Sequence, residues 1–309
     1  MAAWPFPLFT GVPRKSGSRK LRQVLYLSIL TLLRNTARLT SPAYINGESY
    51  AMTLPPKQDD PRYAAVRQYS LAQILAVWAA AAIPMAVLAW LVAPLLGNLL
   101  GGGEVAFVKS LLLCLTAGLI WQFVLTLILT RREQGTLRWA RVRDALWLLS
   151  PRDPRSGRVG GRVWLWVIPF ILLFGLWEFY GFDITGPSNR DLALFLDTRG
   201  EEFFRGAWGW FAVIVVQDVF NTVLGEDLLF RGLLLPRMRG VFGRGDFVAN
   251  GVLFAFYHLH QPWSIPAALA DIILTSYPTR RWQSVWMSII VHSAQSVFII
   301  VVILGLVLG

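Results

Sequence analysis

The sequence is short of the residues that keep ordinary domains in water. Charged side chains make up 15% of its 309 residues and hydrophobic ones 55%, whereas charge alone approaches a quarter of a soluble domain, so that class is excluded. Only one cysteine is present, Cys114, inside an apolar run; it excludes an intrachain disulfide and reads as a small buried hydrophobe. No HExxH pair occurs, which removes the usual sequence signal of a zinc peptidase. Sheet-forming alternation and low-complexity tracts are also missing, which leaves an all-α chain. Acids are scarce, 18 against 29 Lys and Arg.

What is there is hydrophobic length. Apolar runs read at about 72–96, 106–130, 163–182, 207–235, 247–260, 264–277 and 284–307, the fifth and sixth short. The expected fold is a polytopic helical integral membrane protein with about seven transmembrane helices. An amphipathic interfacial helix is expected near Leu137 to Leu149, where Trp139, Val142, Leu146 and Leu149 share one face; a linker helix packed on the bundle is the alternative. With a cytoplasmic N-terminus, 24 of the 29 basic residues fall in inside-facing segments. The positive-inside rule therefore accounts for the net charge of +11 and leaves no basic pattern for nucleic acid. The expected location is a multi-pass place in a membrane, the bacterial plasma membrane, with lipid as a partner.

Three regions follow. Residues 1–71 form a basic cytoplasmic leader and tail, in which 1–51 reads as a surface helix, a targeting peptide or sequence upstream of a start at Met52. Residues 72–206 read as scaffold helices with a basic loop. Residues 207–309 hold nearly all the intramembrane polar groups, including His258, His260 and His292, the chain's three histidines. Such groups are costly in a bilayer and mark function.

One phrase occurs twice, GEEFFRG at 200–206 and GEDLLFRG at 225–232. The first reads as an exposed helix start with ordinary pairing of Arg205 to Glu201 or Glu202. In the second, Asp227 and Arg231 lie four apart and can pair, while Glu226 is turned about 100° away to face something else. Asn250, Phe254 and His258 share one stripe of the fifth segment; His260, before Gln261-Pro262, reads as interfacial. His292 and Ser296 share a face of the last. A glutamate, two histidines and a hydroxyl from three helices can hydrolyse a peptide with water: a carboxylate takes its proton, a histidine holds it, and the remaining donors meet the oxyanion. The same residues could instead ligate a divalent metal such as zinc.

GEDLLFRGLLLPRM, VLFAFYHLH and SVWMSIIVHSAQS resemble, in order and spacing, the three motifs of the CAAX protease and bacteriocin-processing (CPBP) family of intramembrane endopeptidases, also called the CAAX prenyl endopeptidase or abortive-infection family. The likeness covers about residues 207–300. It implies that Glu226 is the catalytic glutamate, His258 the water-holding histidine, His292 the oxyanion histidine and Ser296 its companion donor. Asp227, Arg231, Phe254 and Asn250 are expected to support them. Two positions depart from the family pattern: Asp227 replaces a second glutamate and Ser296 an Asn or Asp. The expected function is hydrolysis of a peptide or protein substrate presented at the membrane, with no cofactor. A catalytically weak relative serving as an immunity or scaffold protein, and an ion or proton transporter, are the alternatives.

Overall fold

The computed structural model describes residues 61–309 apart from 65, 182, 183, 188 and 189. The leader 1–51 and the start at Met52 lie outside the described residues. Among the described residues the secondary structure is helical, with one isolated bridge between Arg152 and Val159 in place of any strand.

Two long helices come first, α1 (Leu71–Leu99) and α2 (Gly103–Gln134). Helix α1 opens on a capping box in which Ser70 Oγ accepts from the Gln73 amide and Gln73 Oε1 from the Ser70 amide, so two otherwise orphaned donors are satisfied. Helix α2 stops at Gly135, where φ of +68° suits glycine and closes the last turn. After α3 (Trp139–Ala145) a 3₁₀ turn leads into α4 (Val167–Tyr180), then come α5 (Leu192–Phe204) and α6 (Trp208–Val219). Helix α6 runs on without a break into π-helical stretches, Phe220–Gly225 and Asp227–Leu234. The chain ends with α7 (Asp246–Tyr257), α8 (Tyr277–Trp282) and α9 (Val285–Leu308).

Among the described residues four stretches are long and apolar enough to cross a membrane: α1, α2, Gly161–Glu178 and α9. Of the about seven spans expected, these four qualify on length and composition. The expected fourth span is helical but carries Asp218, Glu226, Asp227 and Arg231. Helix α7 has 12 residues, about 18 Å at helical rise, against a hydrocarbon core of roughly 30 Å. The expected sixth is divided among a 3₁₀ turn, a four-residue helix and a π-helical turn.

Two further expectations are corrected. The surface helix is only seven residues long, because the chain leaves helical geometry at Leu146 and Trp147, the latter at φ +51°. Val142 and Leu146 are buried in the central core with residues of α1 and α2, so the apolar face packs on the bundle while Trp139 stays exposed. GEEFFRG is the end of a helix rather than its start; α5 begins at Asp191, which caps it by accepting from the Leu194 amide.

The central core joins Ile74, Ala81 and Met85 of α1 to Leu119 of α2, Leu229, Phe230 and Leu233 of the π-helical stretch, Phe254 of α7 and Ile289 of α9. Close crossings fix the site's elements. A Cβ on Gly225 would stand 2.4 Å from the Phe220 carbonyl oxygen and 3.0 Å from that of Leu119, so only glycine lets α2 approach the wide helix there. Indole donors of Trp78 and Trp90 bind the carbonyls of Leu253 and Leu259, each at 2.8 Å, and tie α1 to the histidine-bearing segment. Buried Arg237 bonds Glu133 at 2.7 Å and the carbonyls of Leu233 and Ala145, holding the end of the wide helix to α2.

Candidate active site

The wide helix is unusual, since π-helical turns normally appear singly inside α-helices and often at functional sites. Here they flank Glu226 on both sides. Glu226 is 4% exposed, and Asp227 and Arg231 are fully buried.

Arg231 is held from four directions. Its Nε lies 3.6 Å from Asp227 Oδ1, its Nη2 lies 3.5 Å from Asp271 Oδ1, and Nη2 donates to Thr275 Oγ1 at 2.7 Å. Its guanidinium carbon stands 3.6 Å from the Phe254 ring centroid, a cation–π contact in a desolvated place. The expected pairing with Asp227 is present, and the aromatic residue of the stripe has a physical role, because its ring face takes the arginine. Asn250 on the same stripe donates to the Phe230 carbonyl at 2.7 Å and accepts from Ser276 Oγ at 3.0 Å, so it fastens α7 to both neighbours.

Asp227 also reaches α9. Ser288 Oγ donates to its Oδ1 at 2.5 Å, and its Oδ2 lies 3.4 Å from His292 Nδ1. One carboxylate thus bridges Arg231 and His292, an arrangement that sequence reasoning missed. Ser288, four residues before His292 on one helix face, was the available signal.

Glu226 is turned away from this pair, as the spacing predicted. The Asn221 amide, oriented with its nitrogen toward the carboxylate, reaches Oε1 and Oε2 at 3.2 and 3.3 Å. Beside Glu226 is the Tyr257 hydroxyl, which accepts from Gln122 Nε2 at 2.7 Å. Neither Tyr257 nor Gln122 stood out in the sequence, because an uncharged residue in an apolar run carries no helix-specific signal.

His258 leaves α7 in a 3₁₀ turn with Nδ1 3.0 Å from the Phe254 carbonyl. A carbonyl only accepts, so Nδ1 bears the proton and Nε2 keeps a lone pair for another partner. His260 follows in the same turn. The tight turn brings its ring 5.4 Å from that of His258 at an interplanar angle of 30°, against the same cavity.

Glu226, His258, His292 and Asp271 line one cavity of about 330 Å³. Its other wall is apolar, from Met85, Leu112 and Leu119 of α1 and α2 and from Phe174 and Trp177 of α4. The helices expected to be scaffold therefore shape the site as well. From α9 the cavity receives His292, Gln295 and Ile299, whereas Ser296 is buried with Oγ 3.5 Å from Thr222 Oγ1. No three His, Cys, Asp or Glu side chains among the described residues come together as a metal-binding group, so the ligand set Glu226, His258 and His292 is not assembled as one.

Fold and site define a helical membrane protein with a carboxylate and histidines gathered around a buried cavity. Residues 207–298 match the family model described as Rce1-like, type II CAAX prenyl endopeptidase Rce1-like. The matched stretch is similar to that family over about a third of the chain and contains all three motifs quoted above. No curated protein and no solved structure matches the chain.

Proposed function

We propose that this protein is an intramembrane endopeptidase that cleaves a membrane-presented peptide with a water activated by Glu226. The observation that carries the reading is the pairing, in one cavity, of a buried glutamate outside the ion-pair network with a histidine whose Nε2 lone pair is free. Glu226 takes a proton from water while His258 Nε2 orients that water. The resulting hydroxide attacks the peptide carbonyl carbon, and negative charge develops on its oxygen. His292, positioned through Nδ1 by Asp227, offers its other nitrogen to that oxygen when both ring nitrogens are protonated. The C–N bond then breaks, and the departing amine takes the proton back from Glu226. Gln295, on the cavity wall one residue before Ser296, supplies the amide donor that the family motif leads one to expect at 296.

Every step uses side chains of this chain and water, so no cofactor is needed. Activity that survives a chelator agrees with this; activity lost to a chelator and restored by zinc points to a metal. The substrate is a peptide presented at the membrane, and the charge distribution puts the N-terminus on the cytoplasmic side.

The test is cleavage of a quenched peptide library by purified protein and by Glu226→Gln. Cleavage that persists in the variant removes the proposal. Proton flux lost in the variant without any proteolysis by the wild type would favour a transporter instead.

A further inference from the structure

We propose that Asp218 is a specificity-determining residue that binds a cationic side chain of the substrate, a lysine or arginine lying three or four residues from the scissile bond. This rests on the hydrolytic reading of the same cavity.

Asp218 is 6% exposed, and its Oδ2 is enclosed without a hydrogen-bond partner among the described residues. It lines the cavity beside Gln217 and Asn221. The neighbouring acids of the site are matched. Asp227 has Arg231, Ser288 and His292; Asp271 has Arg231 and Thr275; Glu226 has Asn221. His292 is engaged elsewhere, its Nδ1 standing 3.4 Å from Asp227 Oδ2. Arg190, the one lysine or arginine lining the cavity among the described residues, is turned to other partners: it donates to the Ala89 carbonyl at 3.0 Å and stacks 4.0 Å over Trp90.

A buried carboxylate without a partner is destabilising, and a cation brought by a ligand removes that cost while gaining a charge-assisted hydrogen bond. Eight residues separate Asp218 from Glu226, about 12 Å at helical rise. An extended peptide covers roughly 3.3–3.6 Å per residue, which sets the three-to-four-residue offset.

The test uses the full chain in lipid nanodiscs and peptides carrying Lys, Arg, Gln or norleucine at successive positions around the cut. At one position three or four residues away, Lys and Arg are expected to raise kcat/KM about tenfold over norleucine, the size of one charge-assisted contact. Asp218→Asn should erase that ratio and leave the norleucine peptide cleaved as before. Absence of any cationic preference in the wild type overturns the proposal, as does an Asp218→Asn loss equal for Lys and norleucine peptides. Binding of the same peptides to Glu226→Gln protein, followed by fluorescence anisotropy, separates the two readings. A Lys preference in binding with no cleavage by the wild type sinks the hydrolytic reading alone; cleavage without preference sinks this one alone.

Discussion

GEEFFRG and GEDLLFRG differ by one residue in spacing and by everything in environment. In the first, Arg205 pairs with Glu201 at the end of α5, both about two-thirds exposed. In the second, Arg231 and Asp227 are fully buried, and Arg231 is also bound by Asp271, Thr275 and Phe254. The extra residue separates two jobs. Asp227 neutralises the arginine and positions His292, and Glu226 is left for the cavity. In GEEFFRG both acids are spent on surface pairs, Glu201 with Arg205 and Glu202 with Arg199. An acidic pair before an arginine is thus not a site; it becomes one when burial makes each partner necessary.

The comparison is tested hardest at the acids. Glu226→Gln is expected to lower the rate of peptide cleavage by about 10²–10⁴, the scale of general-base catalysis. Glu201→Gln should leave it unchanged, and an equal loss would erase the distinction. Next come the arginines. Arg231→Met leaves Asp227 and Asp271 without their cation and is expected to cost about 3–5 kcal/mol in detergent unfolding. Arg205→Met, at an exposed pair, should not shift the melting curve.

A smaller effect separates neighbours on α9. Gln295→Ala is expected to reduce turnover by about 10²–10³, the loss typical of one oxyanion donor, whereas Ser296→Ala should behave as wild type. The reverse order would assign the donor to Ser296. The smallest effect concerns the glycines that open the two phrases. Gly225→Ala would press a methyl against two carbonyl oxygens and should destabilise by about 1–3 kcal/mol, the range for overpacking. At Gly200 the nearest atom to such a methyl is Leu306 Cδ1 at 3.1 Å, a side-chain end that can move, so Gly200→Ala should be near neutral in the same melt.

Much of this was legible in the residues. The ion pair of Asp227 with Arg231 and the divergence of Glu226 followed from local spacing. The helices at the ends of the expected series were found within a few residues because long apolar runs bounded by arginines or glycine have few alternatives. The length of the surface helix and the place of His260 on the cavity wall were not legible for one reason. Both required knowing where a chain leaves α-helical geometry, at Trp147 in one case and after Tyr257 in the other, and backbone breaks of this kind answer to packing. Ser296 shows the same limit. Its face of α9 was read correctly as shared with His292, but Thr222 on the wide helix takes its hydroxyl, and Gln295 meets the cavity.

By itself the sequence determined the class, a helical membrane protein with a stretch similar to CAAX proteases, because composition and motif order are properties of the chain. It also determined which side chains share a face, because helical rotation is local. Only the tertiary structure decided what stands opposite each face: Phe254 under Arg231, Asp227 behind His292, Tyr257 and Asn221 around Glu226, and among the described residues no donor on Asp218 Oδ2. Those pairings depend on how close helices pass and on π-helical turns that change the rotation between residues, and neither is written in the spacing of a single segment.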